Sequence, residues 1–423
     1  MAKQNLKALN FDELERFVEG VGWPRYRADQ ILHWIYRQGV TQFEGMTDLS
    51  LPDRRSLEER AYIRQLKIMN AQTSTDGTLK FLLMLEDSNT IESVLIPDDP
   101  SSTSSALGGR SGRRLTLCIS TQVGCTLDCS FCLTGRMGLR RNLTAHEIVD
   151  QVLSVQSYVG ARAPTQKERC SDLPAARLPD GQGRQVPPHP ALSALGGLAK
   201  PDPRFSHVED REGGQRITNI VMMGMGEPLA NFNQVVEAIH RISSPRGIGF
   251  PQRRITLSTA GLVPQIRTLG TLGLKINLAI SLNATTDETR DLIMGTINRK
   301  YPIKELIRAC REYPLPPRRR ITFEYVLIKG VNDSILDAQR VVKLLKGIRC
   351  KVNLIPYNEH PGADFKRPTD QAVLQFQQVL VDAHLNAFIR KSKGQDILAA
   401  CGQLATATNT HRESRLSSLS SAS

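Results

Sequence analysis

Apolar positions along this chain change their period twice, and each change marks a change of structure. From residue 5 to about 62 they recur at helical spacing. Phe11, Leu14, Phe17 and Val18 form one stripe, and Ile31, Leu32, Trp34 and Ile35 form a second that Pro24 can open. Residues 68–97 alternate as strands do, most clearly over 81–85 and 91–97. Beyond Leu115, short β-type runs alternate with helical ones. The runs at 115–120, 217–223, 254–257, 276–280, 321–328 and 351–355 read as strands, each running into a polar or glycine-bearing segment. Strands alternating with helices imply a parallel sheet. The predicted fold class is α/β, an incomplete parallel (β/α)6 barrel behind a small N-terminal helical accessory domain. Reactive residues in such a barrel gather on the loops that follow the strands. A doubly wound open sheet is the other layout this pattern allows.

The same pattern divides the chain. Residues 1–62 read as a helical RNA-binding accessory domain, 63–114 as a strand-rich linker, 115–404 as the barrel and 405–423 as a disordered Ser-rich tail. The accessory domain mixes basic and aromatic side chains (Trp23, Arg25, Tyr26, Arg27, Trp34, Tyr36, Arg37), a composition suited to stacking on bases and pairing with phosphates, although Trp34 serves equally well as core. Residues 161–216 break the rhythm. They hold eight of the 23 prolines and six glycines, with no sustained apolar period, and read as a disordered insertion containing an inert Cys170. The Ser/Gly-rich stretch 101–114 reads as a mobile loop.

Charge then narrows the partner. Lys and Arg number 55 against 42 Asp and Glu, a net charge of +13 that favours a polyanion such as nucleic acid. Basic pairs and triplets at Arg140-Arg141, Arg253-Arg254, 318–320, Lys366-Arg367 and 390–393 are candidates for phosphate contact, several of them expected to flank the loop face. The N-terminus carries Asp12, Glu13 and Glu15 and no long apolar run, so the expectation is a cytoplasmic monomer with no membrane segment. Eight cysteines in 423 residues are too few for a disulfide scaffold. Their spacing points to metal chemistry. Cys125, Cys129 and Cys132 lie in a single loop after the first barrel strand, and thiolates so placed suit zinc or an iron–sulfur cluster. No fourth ligand lies close by in sequence. That leaves two possibilities: a cube with one open iron, or a zinc knuckle completed from a distance.

The second strand runs into Gly224-Met-Gly-Glu-Pro228. A three-cysteine loop after the first barrel strand and a Gly-Glu-Pro loop after the second resemble the radical S-adenosylmethionine (SAM) enzymes. Three longer stretches narrow this: 116–125 around Cys118, 221–229, and Ala399-Ala-Cys401-Gly-Gln-Leu404. Together they resemble the bacterial adenine-C2 methyltransferases acting on 23S ribosomal RNA and transfer RNA, over about Leu9 to Leu404 apart from the two inserts. The sequence departs from that family in the Pro-rich insert, in Asn283 where many members carry His, and in the shortened C-terminal segment.

The resemblance implies roles for the matching positions. Cys125, Cys129 and Cys132 would hold a [4Fe–4S] cluster. Gly226, Glu227, Ser258, Ser281, Leu282, Asn283 and Asn358 would bind SAM. Cys401 would accept a methyl group from one SAM, and a radical from a second would convert it to a methylene that adds to C2. Glu92 would accept the proton. Cys118 would release the adduct through a transient disulfide with Cys401, although by context alone it reads as a buried small hydrophobe. The electron donor would be flavodoxin or similar. Physically the scheme is reasonable: C2 of adenine is electron-poor, so a carbon radical succeeds where displacement on a sulfonium is difficult. A thiolate is both a good nucleophile and a partner in disulfide exchange. Two rivals stand beside this one, a C8-adenine methyltransferase of the same superfamily and a non-catalytic zinc RNA-binding protein.

Overall fold

A computed structural model describes residues 3–98, 114–161, 215–360 and 362–405. The expectations for the insert at 161–216 with Cys170, the loop at 101–114 and the C-terminal tail fall almost wholly outside these residues. The chain divides into two compact units, Met1–Gln156 with Ile217–Ser423, and Ser157–Arg216.

Helices Phe11–Gly20, Tyr26–His33 and Leu51–Arg60 form the N-terminal module. A capping box starts the first: Asn10 accepts from the Glu13 amide and Glu13 from the Asn10 amide. A two-residue strand β1 (Gln4–Asn5) pairs with β2 (Ala61–Tyr62) and closes the module on itself. Three antiparallel strands follow: β3 (Lys67–Thr73), β4 (Leu79–Met84) and β5 (Thr90–Pro97). The strand-rich stretch read as a linker does not stand apart, because β5 pairs antiparallel with the first barrel strand and extends its sheet. The alternation that identified these strands also gives β5 one face for the barrel interior and one for the helices outside it.

The barrel strands are β6 (Leu115–Cys118), β9 (Asn219–Met222), β10 (Ile255–Thr259), β11 (Asn277–Ser281), β12 (Ile321–Leu327) and β13 (Cys350–Pro356), all parallel. A hairpin of β7 (Gln122–Gly124) and β8 (Leu139–Asn142) carries the cysteine loop between its arms. One further parallel strand, β14 (Ala387–Ile389), pairs with β13. The order in the ten-stranded sheet is therefore β14-β13-β12-β11-β10-β9-β6-β5-β4-β3. The six expected parallel strands are present, with β14 and the antiparallel trio as additions at the two ends. Cys310 is buried on helix Ile303–Glu312, and Cys350, also buried, begins β13.

The N-terminal segment is fastened to the barrel helices by buried charge. Lys7 Nζ lies 2.8 Å from Asp150 Oδ1 on helix Ala145–Ala161, with both side chains almost fully buried. Arg241 on helix Phe232–Ser243 donates to the Lys7 carbonyl at 2.7 Å. Burial pushes Asp150 up to about 6 against its ordinary 3.8, with Lys7 opposing. A carboxyl raised in this way favours the folded state while protonated, and that contribution is lost as pH climbs from near 4 through about 6. Lys7→Met removes the opposing cation and raises Asp150 further. Its cost should be small near pH 4 and reach roughly 3–5 kcal/mol by pH 8, as for a buried charge stripped of its partner. Denaturant unfolding at the two pH values checks this, and equal losses at both would refute it.

Candidate active site

The C-terminal ends of the parallel strands converge on one mouth, and nearly every candidate residue from the sequence lies there. After β6 the chain turns through Ser120 and Gln122 into the cysteine loop. The Cys125 amide donates to Gly138 O at 3.1 Å, the Ser130 amide to Ile293 O at 3.1 Å and the Cys132 amide to Cys129 O at 3.0 Å. Cys125, Cys129 and Phe131 pack against an apolar cluster that includes Leu127, Ile293 and Tyr357. Burial pushes the Cys125 thiol up to about 12 and Cys129 well above its ordinary value, with Cys132 adding to both effects and Cys125 adding to that on Cys129. Thiols so placed become thiolates only with a cationic group to hold them.

Arg290 supplies part of that compensation. It is fully buried on helix Asp287–Lys300. It donates to Ala260 O at 2.6 Å, Leu282 O at 3.1 Å, Ser281 O at 3.3 Å and Asn298 Oδ1 at 3.2 Å. Among the described residues it makes no ion pair with a carboxylate. Burial pulls it down to about 10, and Cys129 leads the negative groups that oppose the shift. A buried guanidinium within electrostatic range of Cys129 and without a carboxylate ion pair among the described residues fits an anionic thiolate-bound group. Among the described residues no three His, Cys, Asp or Glu side chains are gathered as a lone zinc ion requires. A four-iron cube takes each thiolate on a different iron, so the donor set fits the cube better than zinc. Sequence reasoning missed Arg290, which reads there as one more charge on a helix.

The loop after β9 packs directly on the loop after β6. Gly226 has φ +97°, and a Cβ on it would meet the Gln122 side chain at 2.5 Å, so only glycine fits. Glu227 is buried. It accepts from the Leu229 amide at 2.9 Å and the Ala260 amide at 2.7 Å. Burial pushes it up to about 6. It therefore ties the loops after β9 and β10 together, with lone pairs left for an ammonium donor. Ser258 faces the interior from β10, and its hydroxyl has no hydrogen bond among the described residues. Ser281 and Leu282 give their carbonyls to Arg290. Asn283 has φ +56°, and its side chain is engaged elsewhere, accepting from the Val326 amide at 2.9 Å and donating to Met294 Sδ at 3.2 Å. A ligand would meet the backbone at that position.

Asn358, after β13, turns to the C-terminal loop. Its Nδ2 donates to Cys401 O at 3.2 Å and its Oδ1 accepts from Gln395 at 2.9 Å. That loop, residues 394–405, is fastened across the mouth from four sides. Asp396 accepts from Ser74 at 2.6 Å, Lys80 donates to Leu398 O at 3.4 Å, the Leu133 amide donates to Gly402 O at 2.7 Å, and Gln403 donates to Glu359 O at 2.7 Å. Gly402, with φ +83°, lies 3.5 Å from Phe131 O at its absent Cβ, so the loop passes directly over the cysteine loop. Cys401 is exposed on this strap. Surrounding protein raises its thiol, and Glu324, Arg390 and Cys132 lie within electrostatic range. Cys118 lies opposite Val94 and Val221 in register, buried inside the barrel, and Cys401 is the one charge that raises it further. Both are free thiols, and no disulfide joins them in this structure.

Glu92 shares the interior face of β5 with Val94. Its carboxylate pairs with Lys80 at 3.3 Å and accepts from the Ala405 amide at 3.0 Å. Burial raises it and Lys80 opposes. The basic clusters separate. Arg253-Arg254 and residues 318–320 precede β10 and β12, so they stand at the end away from the mouth, whereas Arg140-Arg141, Lys366-Arg367 and 390–393 lie on the mouth side. Arg141 is held by Glu147 and Asp87 at 2.8 and 2.6 Å. On the N-terminal module Tyr26 is exposed with Arg27 over its ring, while Tyr36 is core.

A model described as the ribosomal RNA large subunit methyltransferase N-terminal domain matches residues 4–63, and one described as the radical SAM superfamily matches 209–341. The chain is 44% identical to the dual-specificity RNA methyltransferase RlmN of Syntrophobacter fumaroxidans over 399 residues, covering 94% of this chain and 97% of that one. It is 45% identical to that of Geobacter sulfurreducens over 400 residues, covering 95% and 91%. A solved radical SAM methyltransferase from Sphaerobacter thermophilus superposes with TM-score 0.74 at 38% identity, covering 95% of this chain and 99% of that one. A parallel barrel with this cysteine loop after its first strand and Gly226-Glu227 after its second defines a radical SAM enzyme, with SAM and a [4Fe–4S] cluster as its cofactors. Within that class the chain belongs to the dual-specificity RNA methyltransferase RlmN family.

Proposed function

We propose that this enzyme methylates C2 of adenine in 23S ribosomal RNA and transfer RNA through a methylated Cys401. The observation that carries this is the position of Cys401, which is exposed on a strap over the cysteine loop and within electrostatic range of both Cys132 and the buried Cys118. When bound, the cluster and SAM supply a sulfonium methyl group and a hydrogen-abstracting carbon radical. Cys125, Cys129 and Cys132 hold the cluster. Gly226, Glu227, Ser258, Ser281, the backbone of Asn283, and Asn358 line the place for SAM. Cys401 loses its proton and takes the methyl group by displacement. As a methylene radical it bonds to C2. Glu92, made more basic by burial, accepts the C2 proton. The Cys118 thiolate then bonds to the Cys401 sulfur as the sulfur–methylene bond breaks, the freed carbon takes a proton to become the methyl group, and the one electron left over on the new disulfide would return to the cluster.

The target base has to leave its stack to reach this mouth. Arg140, Lys366 and the 390–393 run, all on the mouth side, hold the phosphates while it does so. The electron comes from a flavodoxin-type donor. No helix of the described residues is long and apolar enough to cross a membrane, and RNA substrates accord with a cytoplasmic setting. Anaerobic reconstitution, turnover on RNA and mass spectrometry of the nucleosides test the assignment. 2-Methyladenosine is expected, and 8-methyladenosine or no methylated adenine would overturn it.

A further inference from the structure

The barrel interior holds a buried acid that the scheme above leaves idle. Glu324 lies in the middle of β12. The Tyr325 ring packs on Phe376 of helix Asp370–Asp382 at 5.3 Å, outside the barrel. Strand alternation therefore turns Glu324 inward. In register it stands beside Ser281 on β11 and Asn353 on β13. It is 7% exposed. Asn353 Nδ2 donates to its Oε1 at 2.9 Å. The second oxygen receives no hydrogen bond from the described residues, and no cation forms an ion pair with the group there. Lys351 and Arg390 act on it only through longer-range charge, and Glu324 leads the charges acting on Cys401.

Resting on the adenine assignment, we propose that Glu324 reads the flipped base, its free oxygen donating to N1 and its Oε1 accepting from the N6 amino group, with Asn353 fixing which oxygen does which. Burial raises Glu324, and with a proton held between its free oxygen and N1 the group offers one donor and one acceptor. A free carboxylic acid is symmetrical and pairs as readily with the reversed pattern of hypoxanthine. The Asn353 amide breaks that symmetry: the oxygen accepting its N–H stays the carbonyl, and the proton sits on the other. C2 is bonded to N1, so a group on N1 must lie close to the carbon carrier, which agrees with Glu324 lying within electrostatic range of Cys401. A buried pair left unsatisfied by the wrong base gives strong discrimination.

Glu324→Gln and Glu324→Leu, each in full-length reconstituted enzyme, test this. Gln keeps a donor and an acceptor with no charge, and its Oε1 can still accept from Asn353. It should hold kcat/KM for RNA within about fivefold, whereas Leu should lose at least about 100-fold. Wild-type enzyme should reject RNA carrying inosine at the target by at least about 100-fold, and Glu324→Leu should narrow that ratio. Methyl loading of Cys401, read without RNA from the mass of the protein, should be equal in all three proteins. Gln failing as badly as Leu would mean that the carboxylate itself is needed, and would overturn the role. So would loss of loading in Glu324→Leu, which would place the residue in the SAM site, or unchanged RNA turnover in that variant. A wild-type enzyme that loads no methyl would instead overturn the methyl-cysteine scheme, and this role with it.

Discussion

Cys401→Ala should leave the protein folded, with its cluster bound, yet unable to acquire a methyl group or pass one to RNA. The expected loss in turnover is roughly 10⁴-fold or more, the scale of deleting a covalent nucleophile. Little stability should go with it, because the side chain is exposed and the strap is held by other atoms: the Cys401 carbonyl on Asn358, Gly402 on Leu133, Gln403 on Glu359 and Leu404 on Thr134. Intact-protein mass spectrometry after incubation with labelled SAM separates the outcomes. Wild type should gain one methyl group and the variant none. Cys118→Ala tests the second thiol differently: it should load methyl and react with RNA, then stall as a covalent protein–RNA adduct visible as a shifted band. Labelled methyl on the Cys401 variant, or free product from the Cys118 variant at the wild-type rate, would contradict the assigned roles.

The sequence carried more of the fold than of the site. Six parallel strands were legible because each is a short apolar run ending in a polar loop, and barrel chemistry collects at those ends. β5 was legible as a strand but not as part of the barrel sheet, since pairing partners across 20 residues leave no local trace. The cysteine loop and the Gly226-Glu227 turn declared themselves by residue type. Asn283 also stood out, but the sequence could not show its side chain engaged by Val326 and Met294. Charge runs misled for a simple reason. Arg253-Arg254 and residues 318–320 resemble the runs at 140–141 and 390–393 in composition, and only strand direction sends them to opposite ends of the barrel. Arg290 and Glu324 were invisible. Each is a single charged residue in a mixed segment, and burial, which no local pattern encodes, is what sets them apart.

Arg290→Met should cost the enzyme its cluster as well as its stability. One guanidinium serves carbonyls from the loops after β10 and β11, together with Asn298, while placing positive charge near Cys129. Methionine fills most of the volume and satisfies none of these acceptors. Each buried acceptor left bare costs about 1–3 kcal/mol, so the loss should be roughly 3 kcal/mol or more even if one carbonyl finds water. Arg290→Lys separates the two functions. It keeps the charge that steadies the thiolates but lacks the planar fork that reaches several carbonyls at once. The lysine variant should therefore melt early yet still take up iron and sulfide near the wild-type ratio, whereas the methionine variant should melt early and reconstitute to less than half. Iron and sulfide per chain, the visible absorbance of the cluster and thermal unfolding of both apo-proteins decide between them. If Arg290→Met fills its site normally, the guanidinium is only a brace between loops, and the fit of the buried cation to an anionic cluster loses its support.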